Sequence, residues 1–144
     1  MSHILGSADL AKFIDYQFMR AELTRSELER LVEEAARTGV YGVIVPPNML
    51  PITAPEGIVV ASAVGFPSGN HRTEIKVAEA RQAVADGARE IDLVIDVGLA
   101  KERRFDEVRE EVEAVRAAVP RPVVLKVVVE SAALSDHELV ESCR

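Results

Sequence analysis

Arg89-Glu90-Ile91-Asp92-Leu93-Val94-Ile95-Asp96-Val97-Gly98 is an apolar, β-branched run that carries two aspartates, Asp92 and Asp96, and closes in a glycine. Side chains of a strand alternate between faces, so Asp92, Val94 and Asp96 are expected on one face and Ile91, Leu93, Ile95 and Val97 on the other. An ionised carboxylate buried without a partner is costly, so a strand of this kind needs a cation nearby. The best candidate is Lys126, inside the next apolar run, Pro122-Val123-Val124-Leu125-Lys126-Val127-Val128-Val129-Glu130. If the two runs are neighbouring parallel strands, Asp92 and Lys126 stand side by side on one surface.

The rest of the chain supplies more strands of the same type, separated by helical patterns. Phe13–Met19 reads as a short first strand with Asp15 and Gln17 on one face. Thr24-Arg25-Ser26-Glu27 reads as a capping box, followed by Leu28, Leu31, Val32, Ala35 and Ala36 at helical spacing and by Gly39 as the stop. Val40–Val45 is the second strand, halted by Pro46-Pro47, and the proline-broken segment 48–57 has room for a helical turn or two. Ile58–Phe66 is the third strand and leads into the turn-forming Pro67-Ser68-Gly69-Asn70. A helix is expected from Thr73 to Asp86, stopping at Gly87, and another from Phe105 to Val119, with Phe105, Val108, Val112 and Val115 in phase and Pro120 ending it. Ser135-Asp136-His137-Glu138 is a second capping box, opening a last helix.

Nearly continuous apolar strands alternating with amphipathic helices imply a parallel sheet covered by helices. Two architectures satisfy that: an open doubly wound sheet, and a (β/α)8 barrel of which about five strands are present. The first wants a glycine-rich loop after the first strand, where this chain has Arg20-Ala21-Glu22-Leu23. The polar residues Asp15, Asn48, Asp92 and Lys126 instead lie within or at the C-terminal ends of several strands, as in barrel enzymes. The fold class expected is therefore α/β, an incomplete TIM-type barrel, with residues 1–144 as one partial barrel domain ending early in the helix after the fifth strand.

Composition narrows the partners. Hydrophobic residues make up 48% of the 144 and charged residues 28%, which suits a globular chain with a core, while only 4% aromatics and no Trp leave that core to aliphatic side chains. A formal charge of −7 offers no basic footprint, so neither nucleic acid nor an anionic membrane is expected as a partner. The single cysteine, Cys143, excludes an internal disulfide and reads as a packing residue. With no apolar run of membrane-spanning length and no signal-peptide pattern at the N-terminus, a cytoplasmic location is expected. His3, His71 and His137 lack metal-ligand spacing, so no metal site and no cofactor are expected.

Ile14-Asp15, Val64-Gly65-Phe66-Pro67-Ser68-Gly69, Thr73-Glu74-Ile75-Lys76, Glu90–Gly98 and Leu125-Lys126-Val127-Val128-Val129-Glu130-Ser131 together, in this order and over residues 10 to 144, resemble the deoxyribose-phosphate aldolases. The resemblance implies a metal-free class I aldolase on a (β/α)8 barrel. Its reaction joins acetaldehyde and glyceraldehyde 3-phosphate reversibly into 2-deoxyribose 5-phosphate through a lysine Schiff base. It places the family's proton-transferring aspartate on Asp92 and its supporting fifth-strand lysine on Lys126, and it puts Asp15 beside the substrate. It implies a small aldehyde and a sugar phosphate as partners; a homo-oligomer is expected because an open five-stranded piece exposes the edge of its fifth strand.

The sequence also departs from the family. The Lys-Thr-Ser-Thr-Gly motif that holds the Schiff-base lysine does not occur within the 144 residues, and Asp15-Tyr16-Gln17 stands where Asp-His-Thr is usual. Three readings follow: the N-terminal three-fifths of an aldolase, inactive alone; a related class I aldolase with another acceptor; or a non-catalytic truncated remnant that self-associates. The bland alternatives are a structural Asp92–Lys126 pair, an Asp15 bonded to backbone, Asp96 and Glu130 as solvated or loop-capping acids, and Lys76 as a structural or surface cation. Lys126 could also be the imine-forming amine if its apolar strand depressed its pKa.

Overall fold

The computed structural model describes residues 6–144. Its elements run α1 (Ser7–Ala11), β1 (Asp15–Gln17), α2 (Arg25–Thr38), β2 (Gly42–Val45), β3 (Val59–Val64), α3 (Thr73–Ala85), β4 (Glu90–Val94), α4 (Val97–Lys101), α5 (Phe105–Ala118), β5 (Val124–Val128) and α6 (Asp136–Ser142). Single 3-10 turns at Pro47–Met49 and Ser131–Ala133 fill two of the connections. The five strands are all parallel and lie in the order β1-β2-β3-β4-β5. A doubly wound sheet would reverse that order at a switch point, and here it never reverses.

The sheet is strongly curled. Four strand spacings separate β1 from β5, about 19 Å if the sheet were flat. Yet Asp15 Oδ2 on β1 and Lys126 Nζ on β5 are 2.5 Å apart, so the two edge strands reach each other across the concave face. That is barrel curvature. The five strands and their covering helices form a partial (β/α)8 barrel, as the alternation of elements indicated.

The two faces of the sheet divide the labour. Convex-facing Val43, Val45, Val64, Ile91 and Leu93 are buried against Leu28, Val32 and Ala35 of α2, Ala80 and Ala83 of α3, and Val115 of α5. Burying side chains of this size contributes about 1.5–3 kcal/mol each. The ladder registers align Asp15 with Gly42, Ala61 with Glu90, Ala63 with Asp92, and Asp92 with Lys126 on the concave face. Glycine and alanine on β2 and β3 leave the volume that the charged side chains occupy.

Helix ends follow local chemistry. Gly39 closes α2 at φ 73°, the left-handed conformation that glycine adopts without strain. Ser135 and Glu138 form the full reciprocal capping box of α6. At α2 the box is half made: Thr24 accepts from the Glu27 N–H, but the Glu27 carboxylate turns outward to Arg20 at 2.5 Å. The strands are shorter than the apolar runs that encode them, because the chain leaves the sheet before the apolar residues end. After β4 it leaves into α4, which sequence pattern did not reveal: Asp96 caps it by accepting from the Leu99 N–H. Asp96 is thus a loop-capping residue and does not share the face of Asp92. Cys143 is exposed, not packed.

Candidate active site

The site is centred on Lys126, the middle residue of β5. Its ammonium donates to Asp15 Oδ2 at 2.5 Å and also faces Glu90 Oε2 at 2.8 Å and Asp92 Oδ1 at 3.2 Å. Three carboxylates from two strands therefore share one cation. The parallel pairing of β4 and β5 sets Asp92 directly beside Lys126, while Glu90, two residues earlier, points the same way by strand parity. Asp15 arrives from the far edge because of the curl.

Room for Asp15 is made by Gly42, its ladder neighbour. A Cβ on residue 42 would lie 2.5 Å from Asp15 Oδ1 and 2.7 Å from the Val59 carbonyl oxygen. Tyr41, just before β2, donates its hydroxyl to Glu90 Oε1 at 2.8 Å. That hydrogen bond, with burial and the negative charges of Glu90 and Asp15, pushes the phenol above its ordinary pKa. Among the described residues, Asp15 Oδ1 is buried with no hydrogen-bond partner, and the buried Glu90 Oε2 and Asp92 Oδ1 have only the shared Lys126 ammonium near them.

Charge sharing shapes the ionisation of the cluster. Burial pushes the Asp92 carboxyl above the usual aspartate value; Lys126 opposes this, and the negative charges of Asp15 and Glu90 reinforce it. For Lys126 burial acts downward, but the hydrogen bonds and charges of Asp15, Glu90 and Asp92 outweigh it and hold the amine above the usual lysine value. A depressed amine, which an apolar strand alone would favour, is therefore not what this surrounding produces.

The exit of β4 is braced from behind. Lys76 on α3 is fully buried, donating to the Val94 carbonyl at 2.9 Å and to Glu111 Oε1 on α5 at 2.5 Å. Glu111 Oε2 accepts the Asp96 N–H at 3.1 Å. Lys76 is a structural cation and not a surface one. Gly69, at φ 72°, packs on the same turn so closely that a Cβ there would fall 1.8 Å from the Ile95 carbonyl oxygen.

The structure thus brings Asp15, Asp92 and Lys126 together and adds Glu90 and Tyr41. Glu90 was legible from its parity with Asp92. Tyr41 lies outside the strand, where parity says nothing. Asn48 is exposed in the turn after β2, in a cavity of about 360 Å³ that also includes Arg20, Ala63 and Phe66. His71 and Glu130 are exposed. Among the described residues no group of three or more His, Cys, Asp or Glu side chains is arranged to hold a metal ion. No described helix is long and apolar enough to cross a membrane.

Residues 10–138 match the description "DeoC/LacD family aldolase". The chain belongs to that family. A deoxyribose-phosphate aldolase of Corynebacterium diphtheriae is 49% identical to it over 136 residues, covering 94% of this chain and 62% of the relative. One from Kocuria rhizophila is 47% identical over 141 residues, covering 98% and 65%. The chain therefore spans less than two thirds of the length of these relatives. Among solved structures, the aldolase QR15 superposes with a TM-score of 0.84 at 33% identity, covering 94% of this chain and 63% of that one. The tetrameric deoxyribose phosphate aldolase of Aeropyrum pernix gives 0.80 at 28% identity, covering 95% and 59%. For this member of the DeoC/LacD aldolases, the cluster around Lys126 lies on the concave face of the partial barrel, the side on which the strands' polar residues converge.

Proposed function

We propose that this chain supplies the proton-transfer half of a deoxyribose-phosphate aldolase site, with Asp92 as proton donor and acceptor, Lys126 as its supporting cation and Asp15 as the residue that holds Lys126 and borders the substrate. The reaction is the reversible aldol joining of acetaldehyde and glyceraldehyde 3-phosphate into 2-deoxyribose 5-phosphate through a lysine Schiff base. The observation that carries the reading is the sharing of one ammonium by three carboxylates, which leaves Asp92 the most weakly paired of the three. A carboxyl whose pKa is lifted by burial can give a proton to the hydroxyl that leaves as water when the carbinolamine collapses. It can take one back from the water that later attacks the imine.

Lys126 is assigned a supporting role because imine formation requires a neutral amine, and its three acidic neighbours favour the charged form. The imine-forming lysine then comes from the family's Lys-Thr-Ser-Thr-Gly motif, and the chain of 144 residues is inactive without it. The reading includes residues 1–144 as one partial barrel domain, a small aldehyde and a sugar phosphate as substrates, a homo-oligomer, and a cytoplasmic location.

A second reading is a non-catalytic self-associating remnant. Acetaldehyde trapping with borohydride, read by intact mass and peptide mapping on protein purified from its native source, separates the readings. The aldolase reading expects an adduct on a lysine other than Lys126 and loss of deoxyribose 5-phosphate cleavage in Asp92→Asn by about 100-fold or more. An adduct on Lys126 overturns the role given to it. Absence of both adduct and cleavage in every native form overturns the aldolase reading itself.

A further inference from the structure

We propose that Glu90 is a positioning residue of this site: anchored by Tyr41, it draws the Lys126 ammonium toward the N-terminal ends of the strands and so leaves the Asp92 carboxylate, buried on the concave face, weakly paired. The proposal rests on the reading of Asp92 given above. An ammonium has three N–H donors, and here three carboxylates compete for them at 2.5 Å (Asp15), 2.8 Å (Glu90) and 3.2 Å (Asp92). Asp92 is last in that order although it is the ladder neighbour of Lys126. Strand register alone would pair those two.

What displaces the ammonium is visible around it. Glu90 is buried, lies two residues nearer the start of β4, and has its other oxygen tied to the Tyr41 hydroxyl at 2.8 Å. It cannot swing away from Lys126 without giving up that hydrogen bond. Asp15 pulls in the same direction from β1, seated in the space left by Gly42. The groups facing Asp92 are then Lys126 from β5, Glu90 from its own strand, Asp15 from β1 and, one step removed, Tyr41 before β2. On the concave face β3 contributes Val59, Ala61 and Ala63, none of which ionises. The upward shift of the Asp92 pKa agrees with this geometry.

The test is a carboxyl carbon NMR titration of Asp92 in the purified protein, with Glu90→Gln made in the parent and again in a Lys126→Met background. In the parent, Glu90→Gln releases the ammonium to Asp92, and the Asp92 midpoint is expected to fall by about one pH unit or more. In Lys126→Met only the direct repulsion of Glu90 is left to remove, so the fall is expected to be less than half as large. An unmoved midpoint, or equal falls in the two backgrounds, overturns the proposal. Should Glu90→Gln not fold, Glu90→Asp withdraws the carboxylate by one methylene and must shift Asp92 in the same direction. The titration is independent of turnover. A shift with unimpaired cleavage in Asp92→Asn faults the reading of Asp92; lost cleavage without a shift faults the assignment of Glu90.

Discussion

Replacing Lys76 with Met strands a carboxylate in the core, and the cost can be worked out from its surroundings. Glu111 is 3% exposed and Lys76 0%, and the pair spans α3 and α5 behind the end of β4. Breaking a buried pair by removing one partner costs about 3–5 kcal/mol, because the remaining charge stays out of water uncompensated. With an unfolding entropy of about 0.3 kcal/mol/K for a chain of this size, Tm should fall by about 10–17 °C. Glu111→Leu should cost a similar amount, leaving the ammonium with only the Val94 carbonyl.

The double variant behaves differently. Lys76→Met with Glu111→Leu removes both charges, and replacing a buried pair by apolar groups is neutral or stabilising by about 1–4 kcal/mol. It also orphans the Asp96 N–H, which Glu111 Oε2 now accepts, at about 1–3 kcal/mol. The two effects nearly cancel, so the double variant is expected within about 2 kcal/mol of the parent. Urea denaturation of the four proteins at one pH gives the coupling directly. A double variant whose loss equals the sum of the singles within about 0.5 kcal/mol would refute the reasoning, since uncoupled sites add.

Two further outcomes are expected. Gly69→Ala should destabilise by about 2–5 kcal/mol in the same denaturation assay, because alanine resists a φ of 72° and its Cβ overlaps the Ile95 carbonyl; a loss below about 1 kcal/mol would show that the loop relaxes freely. The α6 cap should be acid-sensitive: hydrogen bonds from Lys101 and from the Ser135 backbone and hydroxyl hold Glu138 down at about 2. A depressed carboxyl stabilises above its unfolded pKa near 4.3 and loses that contribution as pH falls through its folded value. Amide exchange at Leu139 should therefore quicken, relative to its intrinsic rate, between about pH 4.5 and 2 in the parent and not in Glu138→Gln.

The sequence carried the local parts of this structure well. Alternation and register place Asp92 beside Lys126, and Gly39 and the Ser135–Glu138 box mark helix ends, because each depends on residues close in the chain. Parity beyond Val94 failed for Asp96 because alternation holds only while the chain remains in the sheet. Lys76 was left open between a structural and a surface cation although its position was readable: it precedes Ala80 and Ala83 on the buried stripe of α3, as Glu111 lies between Val108 and Val115 on that of α5. Two opposite charges on facing buried stripes are a signal that residue-by-residue polarity hides. The Asp15–Lys126 contact had no local signal, since it exists only through the curl of five strands.

That contact also has a consequence for folding order. Each ladder joins consecutive strands, so the sheet can grow one βα unit at a time with modest loop-closure cost. Asp15 and Lys126 are 111 residues apart, and their meeting requires every intervening strand to be in place and bent. Contacts of such separation form late in folding. The shared ammonium is thus a product of the final curling step: until β5 has docked, Asp15, Glu90 and Asp92 face an open trough as three acids without their lysine.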